Sequence, residues 1–321
     1  MNYHLKGSKA IKYVEKTLGY PLETLLLFPK FFLIETINVC NTRCIMCGID
    51  FDKKKKAAMT DNLFDKITNE ITQYSNHVEK VILYLDGEPL LDRKLPSRIR
   101  KLKEGGIKKI NIASNASLLD CAKARQIIDA GLDEIYITLD SLKKDVFETV
   151  RPRLKFETVY KNIIDFVKLR NQLNPKLTIR IQMILQKLNY HEVDSFSHHW
   201  VPRLNPNDQV IVQKAHNWGS TVEVMEFGDE DTINYVPCIA LWGTLCIHVD
   251  GQVGLCCMDT KSTLPLGKVT SQTIAEIWSG KPLRTIREKH IEGCRYQISL
   301  CNKCTVWRET KHEREKVLKT A

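Results

Sequence analysis

The sequence predicts an α/β fold: a parallel sheet with right-handed crossovers, open or curled toward a barrel, followed by a small cysteine-rich unit. Three observations predict it. Short β-rich runs alternate with longer amphipathic ones from residue 31 to about residue 213. After about residue 215 a hairpin signal and paired cysteines replace that alternation. The eleven cysteines also cluster, three between positions 40 and 47 and seven between 238 and 304, with Cys121 alone.

Residues 1–30 read as a helical cap. Strands are expected at 31–38, 80–85, 109–113, 134–139, 177–183 and 209–212, where β-branched and aromatic residues concentrate. Helices are expected at 61–74, 95–105, 119–131, 156–171 and 191–200, from their helical apolar spacing. Gly105-Gly106 and Gly131 fall where helices should stop. Ligands of such sheets bind at the C-terminal strand ends, where the first cysteine group falls. Residues 31–215 thus form the main unit. In the second, 216–307, runs 246–249 and 252–256 flank Asp250-Gly251, a two-residue hairpin signal. Helical stretches at 272–279 and 282–290 precede Cys301-x-x-Cys304. This unit has few long apolar runs, and small units of that kind lean on a metal. Residues 308–321 are a charged tail.

The composition is 43% hydrophobic and 27% charged over 321 residues, ordinary globular usage that excludes global disorder. Lys+Arg exceed Asp+Glu by 48 to 38, but the charge is dispersed, and its densest run, residues 53–56, reads as a solvated loop. No nucleic-acid partner is expected. The most apolar early stretch, 25–39, contains Lys30 and Glu35 and falls short of the roughly 20 residues of a membrane span. With no secretion signal, the reading is cytoplasmic, where cysteines serve metals or redox chemistry rather than a disulfide framework.

The run Asn38-Val39-Cys40-Asn41-Thr42-Arg43-Cys44-Ile45-Met46-Cys47 follows directly on the first strand. Three thiolates on one tight loop can grip three irons of a cubane, leaving a fourth open to substrate or cofactor; ordinary electron-transfer clusters use four cysteines. A zinc site completed by a distant histidine, or reduced core thiols, are the competing readings. This spacing resembles the signature of the radical S-adenosylmethionine (SAM) superfamily. The resemblance implies a partial (β/α)6 radical SAM barrel with a [4Fe-4S] cluster whose open iron is chelated by SAM. One electron then cleaves SAM to methionine and a 5'-deoxyadenosyl radical. Further segments match in strand order. Asp86-Gly87-Glu88-Pro89 resembles the Gly-Gly-Glu-Pro motif that holds SAM's amino group, with Asp86 replacing the first glycine. Ser114-Asn115 resembles a ribose-contacting position, and Thr138-Leu139-Asp140-Ser141 with Arg151-Pro152 resembles the segment that supplies a hydroxyl and an arginine to SAM's carboxylate.

Cys238-x12-Gly251-x4-Cys256 and Cys301-x-x-Cys304 make a second set of four thiols, which spacing alone also allows to bind zinc. The pattern resembles the C-terminal twitch/SPASM-like iron–sulfur domain of radical SAM enzymes. No cysteine follows Cys304, which suits the shorter twitch form and one fully ligated auxiliary [4Fe-4S] cluster. Cys246 and Cys257 fall on expected hairpin strands, where a buried thiol is the default reading; Cys121 reads as inert, and Cys294 as structural or a spare ligand. In sulfatase-maturing relatives the residue after the Gly-x4-Cys cysteine is an aspartate base. Here it is Cys257, a candidate hydrogen-atom donor, followed by Asp259, a candidate base.

The expected reaction is hydrogen abstraction from a carbinol C–H of a sugar, cyclitol or sugar nucleotide, giving epimerisation or oxidation, as in aminoglycoside-pathway dehydrogenase and epimerase twitch enzymes. A flavodoxin- or ferredoxin-type donor is the implied partner. The alternatives are a peptide-modifying enzyme (epimerase, thioether-forming or sulfatase-maturase-like), disfavoured because no winged-helix leader-binding domain precedes the barrel, and a non-catalytic iron–sulfur or zinc protein.

Overall fold

The structure, a computed structural model, describes residues 8–218, 236–302 and 304, and the backbone of 315–319. Six parallel strands lie side by side in chain order: β1 (Phe31–Ile34), β2 (Lys80–Ile82), β3 (Ile110–Ser114), β4 (Glu134–Thr138), β5 (Thr178–Leu185) and β6 (Gln209–Lys214). Helices α1 (Lys9–Leu18) and α2 (Leu22–Leu27) precede β1, and α3 (Asp61–Thr72) to α8 (Val193–Trp200) provide the crossovers. Between them come α4 (Leu95–Glu104), α5 (Cys121–Asp129), α6 (Lys144–Val150) and α7 (Phe156–Leu173). Local chemistry sets several boundaries. Thr60 caps α3 and Asp120 caps α5 through side-chain oxygens that accept the Leu63 and Lys123 N–H groups. Gly131 follows α5 with φ +91°, a left-handed conformation that favours glycine.

Strand β2 stops at Ile82 rather than at residue 85, and two further features depart from the expected pattern. The first strand leaves the sheet at Ile34 rather than continuing to residue 38, because residues 35–38 turn into polar contacts with the loops above. Helix α6, within the segment read as connection, was not expected.

The second unit contributes α9 (Ala240–Gly243), β7 (Thr244–Ile247), β8 (Gln252–Gly254), β9 (Gly267–Lys268), α10 (Ile274–Ser279), α11 (Lys281–Ile291) and α12 (Ser299–Asn302). Strand β7 pairs in parallel with β1, from Phe31 beside Thr244 to Ile34 beside Ile247, so β7–β9 extend the barrel sheet at its first edge. At the other edge β10 (Glu315–Lys319) runs antiparallel to β6. The hairpin turn holds three residues rather than two. His248 donates to the Gln252 carbonyl at 2.8 Å, and Gly251 takes φ +84°. Strand β8 therefore ends at Gly254, and Cys256 and Cys257 lie in the turn beyond it rather than on a strand. One apolar core runs through both units. Trp278 of α10, fully buried, donates to the Leu25 carbonyl of α2 at 3.0 Å, so the N-terminal helices also pack on the second unit.

Candidate active site and metal centres

The first cysteine loop is held by its own polar side chains. Asn38 donates to the Lys55 carbonyl at 2.9 Å and accepts the Ala57 N–H at 2.7 Å. Thr42 donates to the Pro152 carbonyl at 2.8 Å, and Arg43 donates to the carbonyls of Cys40 and Thr42. Burial pushes the Cys40 thiol up to about 12 and Cys47 up to about 11. Such thiols ionise only when a cation offsets the desolvation, so the loop suits iron. Among the described residues, the only trio of His, Cys, Asp or Glu ligand atoms within 4.8 Å is Glu35, Asp86 and His248. Sulfurs sharing one zinc ion lie only about 3.8 Å apart. Among the described residues neither cysteine group brings three sulfurs within 4.8 Å of one another, and cubane ligands, each on its own iron, need no such approach.

The SAM-motif residues converge beside this loop. Gly87 has no room for a side chain: a Cβ there would lie 2.2 Å from the Ile37 carbonyl oxygen and 2.9 Å from that of Val39. Glu88, buried, accepts hydrogen bonds from Ser114 Oγ at 2.8 Å, Asn115 N at 2.9 Å and Leu90 N at 3.1 Å. Burial raises its pKa despite them. Asn115 Nδ2 donates to Asn41 of the cysteine loop at 2.9 Å. Thr138 reaches the Ser114 carbonyl at 3.4 Å. Arg151 donates to Asp140 at 2.7 Å and to the Cys44 sulfur at 3.5 Å. Residues assigned to separate SAM contacts thus fall into two bonded groups, Glu88, Ser114, Asn115 and Thr138 with Asn41, and Arg151 with Asp140 and Cys44; Asn41 and Asp140 are members that spacing did not single out.

In the second group, Cys238, Cys256, Cys301 and Cys304 lie within electrostatic reach of one another's neighbours. Burial first, and then the charges of Cys238 and Cys304, push Cys301 up to about 12; burial also raises Cys256. The Cys238 N–H donates to His290 Nδ1 at 3.3 Å. Cys257 is raised to about 12 by burial and then by Cys238 and Cys304, so it stands against the second cysteine group. Cys246 is buried within β7, Cys121 is exposed, and the Cys294 thiol donates to the Glu292 carbonyl at 3.8 Å.

The structure places Asp259, the candidate base, in the turn after Cys257. It is buried, and its oxygens accept from Leu255 N, Thr263 N, Thr263 Oγ1 and Leu264 N. An acceptor saturated by its own turn holds the turn together, and it is absent from the lining of the central cavity.

That cavity, of about 420 Å³, takes Leu33 from β1, Tyr84 just past β2, Ala113 from β3, Tyr136 from β4, Arg180 from β5 and Gln213 from β6. Side chains of all six strands can share one cavity only when the sheet curls, which is the partial barrel. Met46, beside Cys47, and Cys257 also line it, so the space lies between the two cysteine groups.

A model of the radical SAM superfamily matches residues 34–198, and one of an iron–sulfur cluster-binding (SPASM) domain matches residues 238–305. The chain belongs to the radical SAM superfamily. It carries the [4Fe-4S] cluster and SAM of that family and the auxiliary iron–sulfur centre of its SPASM domain. When bound, the first cluster supplies the electron that splits SAM.

The GTP 3',8-cyclase of Chlorobaculum tepidum is 29% identical over 166 residues, 51% of this chain and 47% of that protein. The probable GTP 3',8-cyclase of Sulfurisphaera tokodaii is 26% identical over 158 residues, 49% of this chain and 48% of that one. The matches thus span about half the length of these curated relatives. Among solved structures, BtrN in complex with AdoMet and 2-DOIA aligns over 90% of this chain and 98% of its own, with TM-score 0.60 and 16% identity. Streptococcus suis SuiB bound to precursor peptide SuiA aligns over 92% and 74%, with TM-score 0.65 and 14% identity. At such identities the likeness is one of fold. Among the described residues, no helix is long and apolar enough to cross a membrane.

Proposed function

We propose that the chain cleaves SAM reductively and uses the 5'-deoxyadenosyl radical to take a hydrogen atom from a carbinol carbon of a sugar, cyclitol or sugar nucleotide. In this reading Cys40, Cys44 and Cys47 hold the SAM-binding cluster. Gly87, Glu88, Ser114, Asn115, Thr138 and Arg151 form the SAM site, and Cys238, Cys256, Cys301 and Cys304 hold the auxiliary [4Fe-4S] cluster. A flavodoxin- or ferredoxin-type protein donates the electron. Oxidation follows if the substrate radical loses a proton, with its electron passing to the auxiliary site. Epimerisation follows if the radical takes a hydrogen atom from Cys257 on the opposite face, the Cys257 thiyl radical then taking an electron from the auxiliary cluster and a proton from solvent to restore the thiol.

The observation that carries the reading is the cavity between the two cysteine groups. Its size lies within the usual range for small-molecule sites. Tyr136, Thr138, Gln182 and Gln213 offer it hydroxyl and amide groups, which suit a substrate rich in hydroxyls. The name of the cyclase relatives also points to a sugar carbon, since the 3' position of GTP is a ribose carbinol.

The test is anaerobic turnover of the reconstituted protein with SAM, dithionite and a panel of cyclitols and sugar nucleotides. A substrate should accelerate 5'-deoxyadenosine release and return a product of equal mass or one lighter by two hydrogens. Acceleration by peptides alone would overturn the proposal.

A further inference from the structure

The position where this chain departs from the SAM-binding motif is the centre of a buried charge network. Asp86 stands where the motif has glycine, and its side chain is fully buried. Lys54, from the lysine run after the cysteine loop, turns inward and forms an ion pair with it. The same ammonium meets Glu35, also fully buried, at 3.2 Å. Glu35 in turn accepts the Val249 N–H at 2.9 Å and lies 3.5 Å from His248 Nδ1. Four elements thus meet at these charges: the end of β1, the cysteine loop, the SAM motif and the β7–β8 turn.

Three carboxylate and imidazole ligands so close together would suit a divalent ion. The Lys54 ammonium already bonds both carboxylates, however, so the cation of this cluster is the protein's own. The network also lies beside the first cysteine loop. Asp86 directly precedes Gly87, which packs against the Ile37 and Val39 carbonyls just ahead of Cys40, and the Glu88 N–H donates to the Val39 carbonyl at 2.8 Å.

An iron–sulfur cluster gains one negative charge on reduction. Fixed charges beside it, little screened in a buried site, therefore bias its potential. We propose that the buried Lys54–Asp86 pair, backed by Glu35 and His248, sets the reduction potential of the cluster in the first cysteine loop. Lys54 stabilises the reduced state, and Asp86 opposes it while fixing Lys54 in place. Both are positioning residues, acting on the cluster through space.

The test is a redox titration of the reconstituted protein at pH 8, followed by electron paramagnetic resonance. The relevant cluster is the one whose reduced spectrum changes on adding SAM, and iron is counted in every variant. Lys54→Gln should lower its potential and Asp86→Asn should raise it. The double variant should return close to wild type. General loosening of the fold cannot move two variants in opposite directions, so shifts of the same sign, or none, would overturn the proposal. Should Lys54→Gln lose its iron, Asp86→Asn decides alone, and an unchanged or lowered potential rejects the assignment. No substrate is needed, so the result stands apart from the carbinol reading.

Discussion

Arg151 donates a hydrogen bond to the sulfur of Cys44 across 3.5 Å, although the two lie 107 positions apart in the chain. Its Nε is held by Asp140 at 2.7 Å, and both side chains of this ion pair are buried. Removing one partner of such a pair leaves the other charge desolvated, which costs about 3–5 kcal/mol. Arg151→Met should lower the midpoint of denaturant unfolding accordingly. Arg151→Lys should recover little, because a single ammonium cannot reproduce the guanidinium fork. An unchanged midpoint in Arg151→Met would contradict this account.

Iron content separates the two cysteine groups. Two cubanes give about eight irons per reconstituted chain. The Cys40/Cys44/Cys47→Ala triple variant should keep about half and release no 5'-deoxyadenosine with dithionite. Cys301→Ser should also fall to about half, or precipitate, while its soluble fraction still cleaves SAM. Full iron and full turnover in Cys301→Ser would remove the auxiliary site.

Gly87→Ala places a methyl group against two backbone carbonyls, which no side-chain rotation relieves. The SAM motif or the cysteine loop must then shift. SAM affinity should fall at least about tenfold, or roughly 1.4 kcal/mol, by calorimetric titration of the loaded protein. Wild-type affinity would mean that this close approach plays no part in binding.

Cys257 lines the cavity and can meet a substrate radical there. If the reaction is an epimerisation, Cys257→Ala should still cleave SAM but give no inverted product. Wild-type product formed in deuterium oxide should carry one solvent deuterium at the inverted carbon, because thiol protons exchange. An unlabelled epimer ends the donor role. A dehydrogenase would instead release an oxidised product and tolerate the substitution.

Asp259→Ala should act on stability before chemistry, since it leaves buried N–H groups of the turn without their acceptor. Each such loss costs about 1–3 kcal/mol. Thermal unfolding should move well below wild type. An Asp259→Ala protein of normal stability that abstracts hydrogen without forming product would restore the residue as a base.

The alternation of strands and helices was legible because amphipathic periodicity is local, and the motif residues were read from strand ends: Ser114 and Thr138 close β3 and β4, and Glu88 follows β2, whereas Arg151 lies at the end of α6. Other features depended on distant partners. Nothing local in residues 244–247 specifies pairing with Phe31 and its neighbours; an apolar run is consistent with a strand but does not choose its neighbour. Lys54 looked like its neighbours in a solvated charge run. It turns inward because Asp86 and Glu35 present buried carboxylates, and those residues are remote in sequence. Asp259 was read from its place two residues after Cys257, and its hydrogen bonds to the Thr263 and Leu264 N–H groups depend on a turn that spacing does not show.

The ladder between β1 and β7 also governs how the molecule comes apart. Adjacent strands are held about 4.8 Å from each other by backbone hydrogen bonds, and here those strands feed the first cysteine loop and the hairpin that leads to the second. Their spacing is a property of the sheet, and melting the hairpin would strip β1 of the edge strand that pairs with it. Calorimetry of the iron-loaded protein should therefore show one cooperative transition in which both groups of sulfurs release their metal together.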